Sequence, residues 1–208
     1  MTVISYLLSS ELVGIDSSLE ELIPSYLGHG NHVYMIGICG KGGLGKTTLA
    51  RVIYDMFCSN FEGSSFIPNV REYSEKYGLA QLQQQLLIEI LKERNIEIQN
   101  VDDGVDMIMK RLRHKKVLIV LDDVDKLDQL KALAREHNWL GLGSWIIITT
   151  KYDWLVQYGE HKIYPEVLIL KVSAFSRAPS SKLIVKSGLA LNHIGPWPTF
   201  ASTIPRRA

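Results

Sequence analysis

The residues with the clearest chemical potential in this 208-residue chain form a glycine-rich segment, GKGGLGKTT at 40–48. Its spacing fits the pattern G-x-x-x-x-G-K-[ST], in which glycines let successive backbone N–H groups point at a phosphate. A helix that starts directly after such a loop adds the positive end of its dipole. The segment, here called the phosphate loop, therefore predicts nucleotide binding by Gly40, Gly42, Gly43, Leu44, Gly45, Lys46, Thr47 and Thr48.

Within the phosphate loop, Lys46 is predicted to reach the β- and γ-phosphates, and the Thr47 hydroxyl to ligate Mg²⁺. A second motif supplies the carboxylate that such a loop needs, because the apolar run LIVLDD at 118–123 ends in two aspartates. Asp122 is the predicted ligand of Mg²⁺, through water, since hard cations prefer oxygen. Asp123 is the predicted catalytic residue, which would orient or deprotonate the attacking water. The alternative is that both carboxylates only cap the following helix.

A third polar group closes the apolar run WIIITT at 145–150, where Thr149 and Thr150 precede Lys151. Their place at the end of a strand suits a sensor of the γ-phosphate, so Lys151 is a further candidate nucleotide-binding residue. The alternative is a solvated lysine, as a lone lysine after a strand usually is. Guanine-specific GTPases resemble one another in an N-K-x-D element. TKYD at 150–153 lacks the asparagine, which favours adenine.

The elements that must position these residues alternate between short apolar runs and segments of helical periodicity. Strands separated by helices predict an α/β fold, with a parallel sheet of about five strands and helices on both faces. Ligands of such sheets bind at the carboxyl ends of the strands. Pro68 predicts that its strand lies at the sheet edge. The predicted strands are 33–39, 64–70, 116–121 and 145–150; the predicted helices are 46–58, a segment from Leu79 to Leu91, a segment from Val105 to Leu112, and 126–136 capped by Asp125.

The composition is that of an ordinary globular protein, with 46% hydrophobic and 22% charged residues. A net charge of +1 argues against a nucleic-acid-binding protein held mainly by phosphate contacts. The longest apolar runs, such as 117–121, are too short to cross a bilayer, so no membrane span is expected. The opening MTVISYLLSS lacks a signal peptide. Two cysteines, Cys39 and Cys58, fit a reducing compartment, which predicts a cytoplasmic protein.

Charge divides the chain into two unequal parts. Residues 1–166 hold 17 basic and 22 acidic residues, whereas residues 167–208 hold six basic and no acidic residues. The second part also holds four of the seven prolines. This change predicts a boundary near Glu166, followed by a degenerate or disordered tail. The alternative is a basic surface region of the same domain.

Five ordered segments together resemble the NB-ARC nucleotide-binding domain of plant disease-resistance proteins, in the class with a TIR domain. The resemblance divides the chain into a linker at 1–11, a P-loop NB-ARC domain at 12–166 and the tail at 167–208. Asp125, where the coiled-coil class usually carries tryptophan, indicates the TIR class. The segments are LVGIDSSLEEL at 12–22, GKGGLGKTTLARVIYD at 40–55, FEGSSFIPNVRE at 61–72, KVLIVLDDVD at 116–125 and GSWIIITTK at 143–151.

The resemblance implies a switch that binds ADP or ATP with Mg²⁺, held off by ADP and released for oligomerisation and defence signalling by exchange for ATP. It implies at most slow ATP hydrolysis, and partners among other resistance-protein chains or signalling proteins. In the first segment, it implies that Val13, Gly14 and Ile15 line the adenine site. Two alternatives stay open: a plain ATPase, and a truncated receptor fragment that acts as an adaptor or decoy.

Departures from the family pattern concern the sensor segment and the tail. Lys151 and Trp145 stand where the family usually has arginine. SGLALNHIG at 187–195 resembles the family's GLPL block without its proline, and the M-H-D block and leucine-rich repeats are missing. The chain is therefore expected to be a truncated or rearranged piece of a resistance receptor.

Overall fold

The computed structural model describes residues 32–152, 166–173 and 184–189. Their strands are β1 (Tyr34–Cys39), β2 (Gly63–Ile67), β3 (Val117–Leu121), β4 (Trp145–Thr150), β5 (Glu166–Ser173) and β6 (Ile184–Leu189). Their helices are α1 (Lys46–Phe57), α2 (Val70–Tyr77), α3 (Leu79–Leu91), α4 (Val101–Leu112) and α5 (Leu127–Ala134). The strands form one sheet in the order β2-β3-β4-β1-β5-β6.

The sheet is parallel in β1 to β5, and β6 pairs antiparallel with β5. Every residue of β3 is buried, because the strand is covered on both faces. Leu118 and Val120 pack with the buried residues of α1, whereas Ile119 and Leu121 pack with those of α3, α4 and α5. The predicted parallel sheet of about five strands with helices on both faces is confirmed.

The predicted edge strand is β2, which lies at one end of the strand order. It ends at Ile67, so the prediction of a strand over 64–70 is wrong in its last three residues. Pro68 has no N–H to donate to a ladder. Asn69 has a left-handed backbone with φ 49°, and Val70 begins α2, a helix that the sequence analysis missed.

The predicted helix over 126–136 is shorter, because α5 covers Leu127–Ala134, and its predicted cap is wrong. Asp125 does not cap the helix; its carboxylate accepts a hydrogen bond from Gln129 Nε2 at 2.8 Å. The Gln129 Oε1 atom accepts the backbone N–H groups of Asp125 at 3.0 Å and Lys126 at 3.2 Å. Gln129, in the first turn, therefore accepts the N–H groups of the two residues that precede the helix, which is the return bond of a capping box.

Strands β5 and β6 fall in the segment predicted as a tail. β5 pairs in parallel with β1, so that Tyr34 lies opposite Glu166 and Cys39 opposite Lys171. The predicted boundary near Glu166 therefore coincides with the first residue of a strand in the same sheet. The segment predicted as a tail thus includes residues that form strands, and the division into a domain and a tail stays a prediction. The run EVLILKVS has the apolar character of an interior strand, which composition averaged over 167–208 concealed.

One buried polar side chain joins three helices on one face of the sheet. Gln83 of α3 is fully buried, and its Nε2 donates to the carbonyl oxygens of Val101 at 3.0 Å and Ala132 at 2.9 Å. Gly104 of α4 faces this amide so closely that a Cβ there would overlap the Gln83 Oε1 atom. The buried, hydrogen-bonded position of the Gln83 amide therefore leaves no room for a side chain at 104.

We expect Gly104→Ala to lower the free energy of unfolding by about 1–3 kcal/mol, the usual cost of overpacking a core. At an open helical position the same change would raise it by roughly 0.5–1 kcal/mol. Urea denaturation of the wild type, Gly104→Ala, Gln83→Ala and the double variant tests this. In the Gln83→Ala background, Gly104→Ala should no longer lower the free energy of unfolding. A Gly104→Ala variant as stable as the wild type would contradict the predicted overlap.

Candidate functional site

The phosphate loop lies at the carboxyl end of β1, as its position in the sequence predicts. The Gly40 N–H donates to the Thr150 carbonyl of the neighbouring β4 at 3.2 Å, which ties the start of the loop to the sheet. Gly43 and Gly45 have φ angles of 76° and 77°, in the left-handed region that side chains disfavour. Helix α1 then starts at Lys46, so the loop delivers a helix N-terminus to the sheet edge.

The described residues leave the space above the loop open. A Cβ at Gly42, Gly43 or Gly45 would meet none of their atoms within 4 Å, so the lack of side chains leaves room rather than filling a packed contact. Lys46 is half-buried, and its Nζ donates to the Lys41 carbonyl at 2.9 Å. This bond folds the ammonium back over the loop. Of the other predicted loop residues, Leu44 packs against the core between the sheet and α1, while Thr47 and Thr48 are exposed.

Asp122 follows β3 directly and is only 2% exposed. Its Oδ1 accepts hydrogen bonds from the Thr47 hydroxyl at 2.9 Å and from the Thr149 hydroxyl at 2.6 Å. The structure thus brings together α1, β3 and β4 on one carboxylate oxygen. Among the described residues Asp122 forms no ion pair, and a buried carboxylate without a cationic partner is costly. The oxygen atoms of the Thr47 hydroxyl and the Asp122 carboxylate are therefore suitable ligands for a cation.

Asp123, the next residue, has an unusual backbone with φ 56°. Its N–H donates to the Thr149 hydroxyl at 2.8 Å, and its Oδ2 accepts from Arg71 Nε at 2.9 Å. The charge of Asp123, followed by this hydrogen bond, raises the pKa of the Arg71 guanidinium above its usual value. The arginine of the pair therefore stays charged throughout the accessible pH range.

Two residues of this network have roles that the sequence analysis missed. Thr149 was named only as part of the strand end that suits a γ-phosphate sensor, and its hydroxyl joins the Asp122 carboxylate to the Asp123 backbone. Arg71 lies in a recognised segment but carried no predicted role. Its position in the sequence could have predicted this role, because Arg71 follows the carboxyl end of β2. The carboxyl ends of parallel strands meet at one edge of the sheet, where Asp123 also lies.

The remaining predicted residues lie outside this cluster or outside the described ranges. Lys151 is exposed, with its Nζ 5.0 Å from the centre of the Tyr152 ring. Trp145 starts β4, at the opposite edge from the phosphate loop, and its ring lies 5.3 Å from that of Phe61. Tryptophan in place of the family's arginine therefore alters a surface remote from the loop. Val13, Gly14 and Ile15 lie outside the described residues.

Comparison with known families decides what this arrangement is. The family model described as NB-ARC domain matches residues 15–173, most of the chain. The chain belongs to the NB-ARC family. The NB-ARC match includes β5 and ends at the last residue of that strand, beyond the predicted boundary at 166.

Curated relatives of this NB-ARC chain are plant disease-resistance proteins. It is 47% identical over 143 residues to disease resistance protein RUN1 of Vitis rotundifolia, covering 68% of this chain and 11% of the relative. It is 44% identical over 162 residues to TMV resistance protein N of Nicotiana glutinosa, covering 74% of this chain and 14% of the relative. The chain thus spans between about a tenth and a seventh of the length of these relatives. The predicted resemblance to the NB-ARC domain of TIR-class resistance proteins is confirmed.

Solved structures share the fold of this NB-ARC domain at low identity. A chain of Drosophila ORC, in a structure with bound DNA, has a TM-score of 0.56 at 17% identity and covers 85% of this chain and 47% of that one. Cdc6p from Pyrobaculum aerophilum has a TM-score of 0.52 at 18% identity and covers 77% of this chain and 46% of that one. These likenesses confirm the predicted P-loop NTPase fold. Of the helices in the described ranges, none has the length and apolar character that crossing a membrane requires.

Proposed function

We propose that this domain binds ADP and ATP with Mg²⁺ and serves as a nucleotide-dependent switch in cytoplasmic plant defence signalling, with slow ATP hydrolysis at most. The observation that carries the proposal is the 2.9 Å hydrogen bond between Thr47 and Asp122. It couples the phosphate loop to the carboxylate after β3, two elements that are 75 residues apart in sequence. Such a coupling is what a nucleotide with its cation needs from the protein.

The residues fit distinct parts of such a ligand. Backbone N–H groups of the phosphate loop and the start of α1 would face the phosphates. Lys46 would exchange the Lys41 carbonyl for phosphate oxygens. The Thr47 hydroxyl and Asp122 carboxylate would hold Mg²⁺, which typically binds one or two protein oxygens together with substrate phosphates and water. When bound, the cation neutralises phosphate charge.

The finer assignments follow from the family resemblance and from chemistry. Asp123 would hold the attacking water, and Lys151 would sense the γ-phosphate from the end of β4. Val13, Gly14 and Ile15 would line the adenine site. The partners of the switch would be other resistance-protein chains or signalling proteins. A plain ATPase and an adaptor or decoy without turnover are the alternatives.

Calorimetric titration of the purified chain with ADP and with Mg²⁺–ATP tests binding, and hydrolysis assays test the switch. We expect both nucleotides to bind. A single turnover of ATP should be faster than steady-state turnover, because a switch retains its ADP product. Equal single-turnover and steady-state rates would identify a plain ATPase. Absence of binding to either nucleotide would favour the adaptor or decoy.

A further inference from the structure

We propose that Arg71 is a positioning residue for ATP hydrolysis, which acts by fixing the carboxylate of Asp123 through the hydrogen bond from its Nε. The inference rests on the proposed function, because Asp123 is there assigned to the attacking water. It adds a residue of α2, at the sheet edge, to a site otherwise formed by the phosphate loop, β3 and β4. Arg71 itself would not touch the water or the phosphates.

The backbone of Asp123 is fixed from the β4 side. Its N–H donates to the Thr149 hydroxyl at 2.8 Å, and the N–H of Val124 donates to the Thr149 carbonyl at 2.9 Å. These two bonds hold the left-handed conformation of Asp123 but leave its side-chain torsions free. The Arg71 Nε atom, 2.9 Å from Asp123 Oδ2, removes that freedom. In the described part of the chain Asp123 Oδ1 accepts no hydrogen bond, so this oxygen is the one available to a water.

Arg71 is itself anchored at the site. The preceding residue, Val70, donates its N–H to the Asp122 carbonyl at 2.8 Å, which ties the start of α2 to the end of β3. The Asp122 N–H donates in turn to the Ile67 carbonyl at 2.9 Å. The base of the Arg71 side chain therefore moves with the backbone of the two aspartates. A positioning contact needs this kind of rigid support.

The exposure of the pair argues for orientation rather than stability as its contribution. The side chains of Arg71 and Asp123 are 42% and 30% exposed, and exposed ion pairs contribute little to stability. The positive charge and the N–H donor of Arg71 have opposite effects on Asp123 as a base that takes up a proton from water. The charge favours the ionised form and weakens the base, whereas the donor holds the base in place. The proposal assigns the dominant effect to the donor.

Two substitutions separate the donor from the charge. Glutamine carries its amide nitrogen at the same number of bonds from the backbone as Arg71 Nε, so Arg71→Gln keeps a donor without the charge. Arg71→Met keeps a chain of similar length without donor or charge. Both residues are good helix formers, so α2 should persist. Lys126→Met is the matched control, because Lys126 pairs with Glu75 of α2 at 3.1 Å without contacting Asp123.

The test measures ADP affinity by calorimetry and single-turnover hydrolysis of Mg²⁺–ATP in the full 208-residue chain. We expect Arg71→Met to slow hydrolysis about tenfold while ADP affinity changes by less than about twofold. Arg71→Gln and Lys126→Met should stay within about threefold of the wild-type rate. A readout without nucleotide comes from a double-mutant cycle in urea. Arg71→Met and Asp123→Asn should be coupled by about two- to fivefold in the unfolding equilibrium constant.

Three outcomes would overturn the inference. The first is an equal single-turnover rate for Arg71→Met and the wild type. This includes the case in which neither protein hydrolyses ATP above background. The second is a rate for Arg71→Gln as low as that for Arg71→Met, or a rate for either variant above that of the wild type. In both cases the charge of Arg71, and not its N–H donor, would have the dominant effect. The third is additivity in the double-mutant cycle. Normal ADP affinity in these cases would leave the proposed function intact, whereas a wild type that fails to bind ADP would overturn both.

Discussion

Lys46→Ala is expected to weaken binding of both ADP and ATP by at least about a hundredfold, because hydrogen bonds to charged groups are worth about 1.5–3 kcal/mol each and Lys46 would bond two phosphates. The fold should persist. Lys46 is the first residue of α1, is half-buried, and bonds only the Lys41 carbonyl among the described residues. Alanine is the best helix former at such a position. Calorimetric titration measures the affinity, and circular dichroism checks the fold.

Lys41→Ala is the matched control for this prediction. It removes a lysine from the same loop, but the Lys41 side chain is exposed and only its main-chain carbonyl contacts Lys46. We expect its ADP affinity to fall by no more than about tenfold, the effect of one exposed and solvent-screened charge. If Lys46→Ala binds ADP as tightly as the wild type, residues 40–48 are a structural turn and the assignment of the phosphate loop fails.

The parts of the fold predicted most accurately are those in which the local sequence pattern is compatible with only one local structure. The run VLIVL of β3 is apolar at every position, which only a strand covered on both faces satisfies in so short a length. The spacing Gly45-Lys46-Thr47 requires a loop that becomes a helix, and α1 begins at Lys46. Since both elements end or begin at the same sheet edge, the contact of Thr47 with Asp122 follows from motif and topology together.

The parts that could not be predicted depend on contacts between distant segments. Helix α2 is only eight residues long and has one fully buried residue, Val70, so its apolar period is too short to distinguish it from a loop in the sequence. At the start of α5, the Gln129 side chain accepts the N–H groups of Asp125 and Lys126 and donates to the Asp125 carboxylate, so Asp125 does not cap the helix. Strand β5 was concealed by averaging composition over a longer segment.

The same limit applies to the site. The order β3-β4 in the sheet places the Thr149 hydroxyl between the two aspartates, and no local pattern contains that order. Arg71 reaches Asp123 only because β2 pairs with β3 and ends beside it. Motif spacing therefore predicts which groups would contact a nucleotide. The groups that hold those residues in place required the register of the sheet.

Asp122→Asn is expected to abolish the Mg²⁺ dependence of ATP binding and to slow hydrolysis by about a hundredfold, in line with the loss of a group that stabilises developing charge. The fold should persist, because the amide oxygen of asparagine can accept the same hydrogen bonds from the Thr47 and Thr149 hydroxyls. ADP binding without Mg²⁺ should change little, since the phosphate loop is intact. Titrations with ATP in Mg²⁺ and in a chelator measure the effect.

Thr149→Val tests the hydrogen bond that positions Asp122 separately from the charge of Asp122. Valine has nearly the shape of threonine, but it removes the hydroxyl that donates to Asp122 at 2.6 Å and accepts the Asp123 N–H at 2.8 Å. The carboxylate keeps its charge and its bond from Thr47, so binding of Mg²⁺–ATP should weaken by only about tenfold, as for groups that orient a ligand to a metal. If Asp122→Asn keeps the Mg²⁺ dependence while Thr149→Val loses it, Asp122 is only an acceptor that orders two hydroxyls. The buried charge would then lack a cation to compensate it, and the magnesium site would have to be sought elsewhere at this edge.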